Sequence, residues 1–338
     1  MRITPELFGA HLKCPTKSFL LAHGEAPSGN AYAEWFRNQN EAYRSAGVGR
    51  LKESVPQEQR AGSTPDPPDL KATKWRLTVD FPAQAQNLES RLHALERVAS
   101  EGRSKPNQFV PVRFIFTNKL TKDDKLMLAF DALVLSEMIG REVSLGRIVH
   151  GDDGAALNVK PSGLVGEVRK LNGRLSELLV SGSPPDLVLN RHCAECEFQA
   201  RCRQKAIEKD DLSLLSNMST KERKEFNGKG IFTVTQLSYT FRPRRRPRKS
   251  AGKKEKYHHA LKALAIRNKQ VHIIGTPEFK LVGTPVYFDA EGLPDRDMYY
   301  LLGLRLPLGH SIVNHSLWRM ARRMKSQFGP KWLGSLPK

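Results

Sequence analysis

Four cysteines, Cys14, Cys193, Cys196 and Cys202, are the whole thiol complement of the chain. Cys193-x-x-Cys196 sets two sulfurs on one tight turn, Cys202 follows one or two helical turns later, and Cys14 lies about 180 residues upstream. Thiolates gathered this closely suit a soft metal, and four of them complete either a tetrahedral zinc site or a [4Fe–4S] cube. Free cysteine is also a common core residue, so four unrelated buried thiols are the plain alternative. Disulfides are poor candidates in a reducing compartment.

A second constellation lies near the other end. The apolar run PVYFDAEG carries Asp289 and Glu291, and the period-2 alternation of a strand points both carboxylates to one face. Two acids on one strand face can chelate Mg²⁺ or Mn²⁺ for phosphodiester cleavage, whereas an ordinary strand end would leave them solvated. No Asp or Glu follows Asp297, so this pair is expected to lack the further acids of a complete site.

These groups need elements to hold them. Leu7, His11 and Leu12, then Ala33, Trp35 and Phe36, fall at helical spacing, and residues 54–69 change to a Pro, Gln, Ser and Gly composition that suits a loop. Trp75–Phe81 alternates like a strand, FVPVRFIF at 109–116 is a second β run, and 123–139 reads as an amphipathic helix stopped by Gly140. The pattern is α/β, with helices enclosing a small sheet. A new β pattern from about Val271 marks a separate domain.

With 338 residues the chain has room for two or three cores. A formal charge of +20 and a pI near 9.9 attract any polyanion, which makes DNA or RNA the leading partner class. Residues 242–256 concentrate that charge, nine basic residues against Glu255 alone, as a self-repelling linker or arm that includes Arg244, Arg245, Arg246, Arg248 and Lys249. Just before it, KERKEFNGKGIFTVTQL resembles a helix-hairpin-helix, in which amides of the Gly228-Lys229-Gly230 turn could hold a phosphate. His258 and His259 have no partner motif and are expected at the surface. The N-terminus has no apolar core before a small-residue cleavage site, and the longest apolar run, 126–135, is far shorter than the ~20 residues of a membrane span. A soluble, cytoplasmic chain with no membrane partner is expected.

ITPELFGAHLKCP together with NRHCAECEFQARCRQKAIEKDDLSLLSNM resembles the RecB-family nucleases, relatives of CRISPR-associated and AddB-type enzymes. The resemblance implies that Cys14, Cys193, Cys196 and Cys202 ligate a [4Fe–4S] cluster acting as a structural staple. It also implies a PD-(D/E)XK site on adjacent strands, yet His93 stands where the Asp belongs, and Pro111 and Arg113 where Glu and Lys belong. Proline offers no ligand and arginine keeps its proton, so that site reads as dismantled unless Asp80, Glu89 and Glu96 come together in another register. The family's Gln-x-x-x-Tyr helix is missing as well. VYFDAEGLPD followed by YYLLGL resembles the first motif of the YprB-type, RNase H-like DEDD exonuclease domain, which makes Asp289 and Glu291 its metal ligands.

The expected architecture is therefore a multi-domain α/β chain. It has a restriction-endonuclease-like RecB module with its Fe–S staple over 1–210, a helix-hairpin-helix over 211–241, a basic linker over 242–260 and a partial RNase H-like domain over 261–338. The expected function is DNA processing by a RecB-like nuclease whose catalytic sites are degenerate, or nonenzymatic nucleic-acid binding around a structural Fe–S or zinc site. Family analogy adds a helicase partner.

Overall fold

The structure, a computed structural model, describes all residues except 62–74, 99–106, 243–257, 273–281, 294, 296–297, 310 and 319–338. It is an α/β chain with two compact units, one formed by Met1–Phe116 with Thr121–His272, the other by Thr117–Leu120 with the residues from Ile273 onward.

The first unit opens with helices α1 (Pro5–Lys13), α2 (Pro15–Ala22) and α3 (Ala31–Glu53). Strands β1 (Leu77–Ala85), β2 (Leu88–Val98) and β3 (Gln108–Ile115) follow as an antiparallel meander. Helix α4 (Lys122–Ile139) crosses over to β4 (Gly146–His150), which lies parallel to β3, and β5 (Ala155–Val159) closes the order β1-β2-β3-β4-β5. Beyond the sheet run α5 (Ser162–Val180), α6 (Gln199–Glu208), α7 (Thr220–Asn227), α8 (Val234–Ser238) and α9 (His259–Asn268).

Two apolar cores flank the sheet. Phe8, Phe81, Leu92, Phe130 and Leu133 belong to the larger one, built with α1, α4 and α5. Val48 and Val55, on and just after α3, pack with Leu77, Ala94, Val112 and Phe114 in the smaller. Gly47 permits that approach, because a Cβ there would sit 2.3 Å from the Phe114 ring. Asp80 is the point where β1 changes sides: Leu77 and Val79 join the α3 core, whereas Phe81 and Ala83 join the α4 core. Its φ of +51° makes that turnover, in a left-handed region that Asp tolerates better than most residues.

The helix expected at 123–139 forms with a Thr121–Asp124 capping box and a left-handed Gly140 cap. It is not amphipathic. Leu128 through Leu135 are all buried, Asp131 included, because the helix is packed on more than one side.

The helical hairpin expected after residue 210 forms as α7 and α8. Leu212, Leu215, Val234, Leu237 and Ala263 make its small core, so α9 belongs with it, and the sheet that follows starts after residue 272 rather than at 261. His259 is correspondingly buried, with Nε2 3.5 Å from a Glu222 carboxylate oxygen, and not at the surface as expected. His258 caps α9 by accepting from the Leu261 amide.

The second unit is a separate antiparallel sheet of β6 (Tyr287–Leu293), β7 (Met298–Leu308) and β8 (Ser311–Trp318). Tyr287, Phe288 and Ile312 are more than half exposed, and no helix lies between the described strands.

Candidate metal centre

Cys14 is the joint between α1 and α2. Its extended backbone ends one helix, and Pro15, whose fixed φ suits a first helical position, begins the next. Cys193 lies in the 3₁₀ turn Arg191–Glu195, Cys196 caps that turn, and Cys202 falls in the first turn of α6, its amide donating to the Phe198 carbonyl at 3.0 Å. Phe198, 1% exposed, anchors this stretch.

All four cysteines line one pocket that opens to solvent. Lys13, Lys17 and His192 stand in its wall with Leu187–Leu189. Each cysteine is half-buried and unpaired as a disulfide. Burial, and then the charge of the neighbouring sulfurs, including that of Cys14, pushes the Cys202 thiol up to about 11. Burial likewise raises Cys193 and Cys196, each of which also feels Cys14. Three neutral thiols are therefore favoured, and a cation bound among them would have to compensate thiolate charge and displace protons. Among the described residues no three Cys, His, Asp or Glu side chains already stand grouped as an ion site; the four cysteines share a pocket lining without being gathered to bonding distance of one point. The donor chemistry, four soft thiols around open space, fits a thiolate-bound centre.

The acids of the first sheet are not brought together. Asp80 pairs with Arg44, Glu96 with Arg147 at 2.8 Å and Glu89 with Arg2 at 3.5 Å, so each carboxylate has its own arginine. Arg113 is held by two 2.8 Å bonds to Asp131 of α4, which also accepts from Ser90 at 2.7 Å. Burial raises the Asp131 carboxyl, with the Arg113 charge acting in opposition.

His93 accepts the Phe114 amide through Nδ1 at 3.0 Å, so its neutral ring carries its proton on Nε2. Burial, then Arg113 and Arg44, lowers its pKa well below 6.5. The unfolded chain therefore binds the proton at higher pH than the folded one does. The His93 contribution is complete above pH ~6.5 and is lost as pH falls toward the folded value, by at most about 1.4 kcal/mol per pH unit. Urea unfolding at pH 7 and pH 5 is expected to show the weakening, and His93→Gln should remove about one proton's worth of that slope.

Asp289 and Glu291 do share one face of β6, facing Gly303 and Leu301 across the register, and both are exposed. Asp289 accepts from the adjacent Ala290 amide at 3.0 Å.

The glycine turn departs from expectation. The amides of Gly228, Lys229, Gly230 and Ile231 donate to carbonyls of residues 224–227, and those of Phe232 and Thr233 donate to the Gln236 side chain at 2.7 and 3.1 Å. Every amide from 228 to 233 is thus engaged within the hairpin, and α8 has only five residues. Arg244, Arg245, Arg246, Arg248 and Lys249 lie outside the described residues.

Sequence reasoning passed over Lys17, Asn30, Asn190 and Glu197, which tie the cysteine segments together. Asn190 and Glu197 flank the cysteine motif, and that proximity was the one available signal. No helix among the described residues is long and apolar enough to cross a membrane. No protein-family model and no curated protein sequence matches the chain.

Proposed function

We propose that this chain is a nucleic-acid-processing protein of RecB-like architecture, in which one thiolate-bound inorganic centre, a [4Fe–4S] cluster, joins the two ends of the first module. The observation that carries this reading is the gathering of Cys14 with Cys193, Cys196 and Cys202 around one cavity, across about 180 residues of chain. When bound, the centre supplies a covalent cross-link closing a long loop, which restricts the unfolded chain. Zinc is the alternative occupant, since the same four thiolates would satisfy it.

Binding is favoured over cutting. Asp80, Glu89 and Glu96 of the first sheet each pair with an arginine, and Asp289 and Glu291 face no third carboxylate across β7. In this reading β6–β8 form part of an RNase H-like domain, with Asp289 and Glu291 as the remnant of its metal pair, and the +20 charge supplies affinity for phosphate backbones.

The test is a nuclease assay with Mg²⁺ or Mn²⁺ on single- and double-stranded DNA and on RNA, run beside salt-dependent binding. The Asp289→Ala, Glu291→Ala variant is expected to match the parent's background, while affinity falls by about 10³-fold between 50 and 200 mM salt for roughly six phosphate contacts. Metal-dependent cleavage abolished by the double variant would establish an active centre and overturn the binding reading.

A further inference from the structure

The cysteine segments are joined by more than sulfur. Asn190 does three things at once. Its side-chain oxygen accepts the His192 amide at 2.8 Å, its own amide donates to Cys193 Sγ at 3.2 Å, and its Nδ2 reaches the carbonyl of Lys13, next to Cys14, at 3.2 Å. Asn30 works from the other side. Its oxygen caps α3 by accepting the Ala33 amide at 3.1 Å, and its Nδ2 donates to the carbonyls of Ala194 at 3.0 Å and Cys196 at 3.4 Å.

Around them Ser28 donates to the Glu197 carbonyl at 2.8 Å, Lys17 pairs with the Glu197 carboxylate at 2.7 Å, and Arg201 pairs with Glu25 at 2.8 Å. The Lys17–Glu197 pair is mostly shielded from solvent, at 18% and 12% side-chain exposure, which makes it the firmest of the set. Each contact spans 164 to 180 residues of sequence and ends within two residues of a cysteine or on the strap just before α3.

We propose that these residues form a polar clasp that closes the module and brings the thiol-bearing segments to one pocket before any metal is bound, with Asn30 and Asn190 as its positioning residues. The proposal rests on the metal-centre reading for its purpose but not for its geometry, because every contact in it is made by protein groups alone. Outer hydrogen bonds that orient metal ligands are worth about 10- to 100-fold in metal affinity. The clasp also implies that removing the metal leaves the segment 190–202 docked on the N-terminal helices, so a cysteine-bound centre can be lost and regained without refolding the module.

The substitutions Asn30→Asp and Asn190→Asp isolate this role. Aspartate keeps the oxygen that caps α3 and the 191–195 turn, so both local structures persist, but it cannot donate across to residues 194 and 196 or to residue 13. In the full chain, metal-free and reduced, backbone amides of 190–202 are expected to exchange slowly in the parent and at least tenfold faster in the double variant. Cobalt(II), a thiolate-seeking probe with visible charge-transfer bands, should bind the variant at least tenfold more weakly while reaching the same final spectrum.

Equal amide exchange in parent and variant would overturn the clasp, as would rapid exchange of 190–202 in the metal-free parent. A parent that gives no thiolate–cobalt band, yet shows slow exchange lost in the variant, would sink the metal reading and leave the clasp standing.

Discussion

Arg113→Ala is expected to lower the unfolding free energy of the first unit by about 3–5 kcal/mol, read from urea denaturation at pH 7. The Asp131 side chain is only 3% exposed, and the substitution leaves its carboxylate in the core with Ser90 as its remaining partner. A second consequence separates this from simple loss of packing. Arg113 is a cause, after burial, of the depressed His93 pKa, so its removal should let that pKa rise and flatten the acid sensitivity described above. The penalty itself should shrink as pH falls, because protonating Asp131 removes the stranded charge. Replacing both partners, Arg113→Met with Asp131→Leu, is expected to recover most of the loss, since a buried ion pair contributes little over apolar groups of similar volume. A small effect from the single substitution would mean that the pair is better hydrated than its burial indicates.

Cys14→Ser is expected to weaken metal retention by about 10²-fold or more. A structural tetrathiolate ion is held by about 10–16 kcal/mol, so one ligand of four accounts for roughly 3 kcal/mol. Elemental analysis after dialysis against a chelator reads the loss, and Cys193→Ser, Cys196→Ser and Cys202→Ser should behave alike because all four line the same pocket. The distinctive expectation is the parity between position 14 and the other three. Retention unaffected by Cys14→Ser would restrict the site to the later three thiols and leave the N-terminal segment held by the clasp alone.

That Cys14 and the later three cysteines line one pocket agrees with the sequence reading, because soft donors are few in this chain and their spacing is restrictive; the metal itself is the proposal. Strands 77–85 and 108–115 and the stop at Gly140 were legible for a similar reason: alternation and a left-handed glycine cap are local signals. What escaped depends on contacts that local pattern does not encode. Asp131 sits inside the apolar run 126–135, and its partner Arg113 lies on a strand that meets α4 only in three dimensions. His259 lacked a motif, yet α9 packs it beside Glu222. The glycine turn matched a phosphate-binding pattern, but a Gln236 side chain and the carbonyls of α7 already take up its amides. Asn30 and Asn190 could be read as caps from their type and place, but not as bridges, since the second partner of each is more than 160 residues away.

The central claim, that four thiols hold a single inorganic centre, is tested most directly by purifying the full chain without oxygen and measuring iron, sulfide, zinc and visible absorbance on the same sample. About four iron and four sulfide per chain, with a broad band at about 400 nm, are expected. One zinc in colourless protein would keep the shared centre and replace the cluster. Colourless protein with no bound metal and four freely titrating thiols would contradict the account.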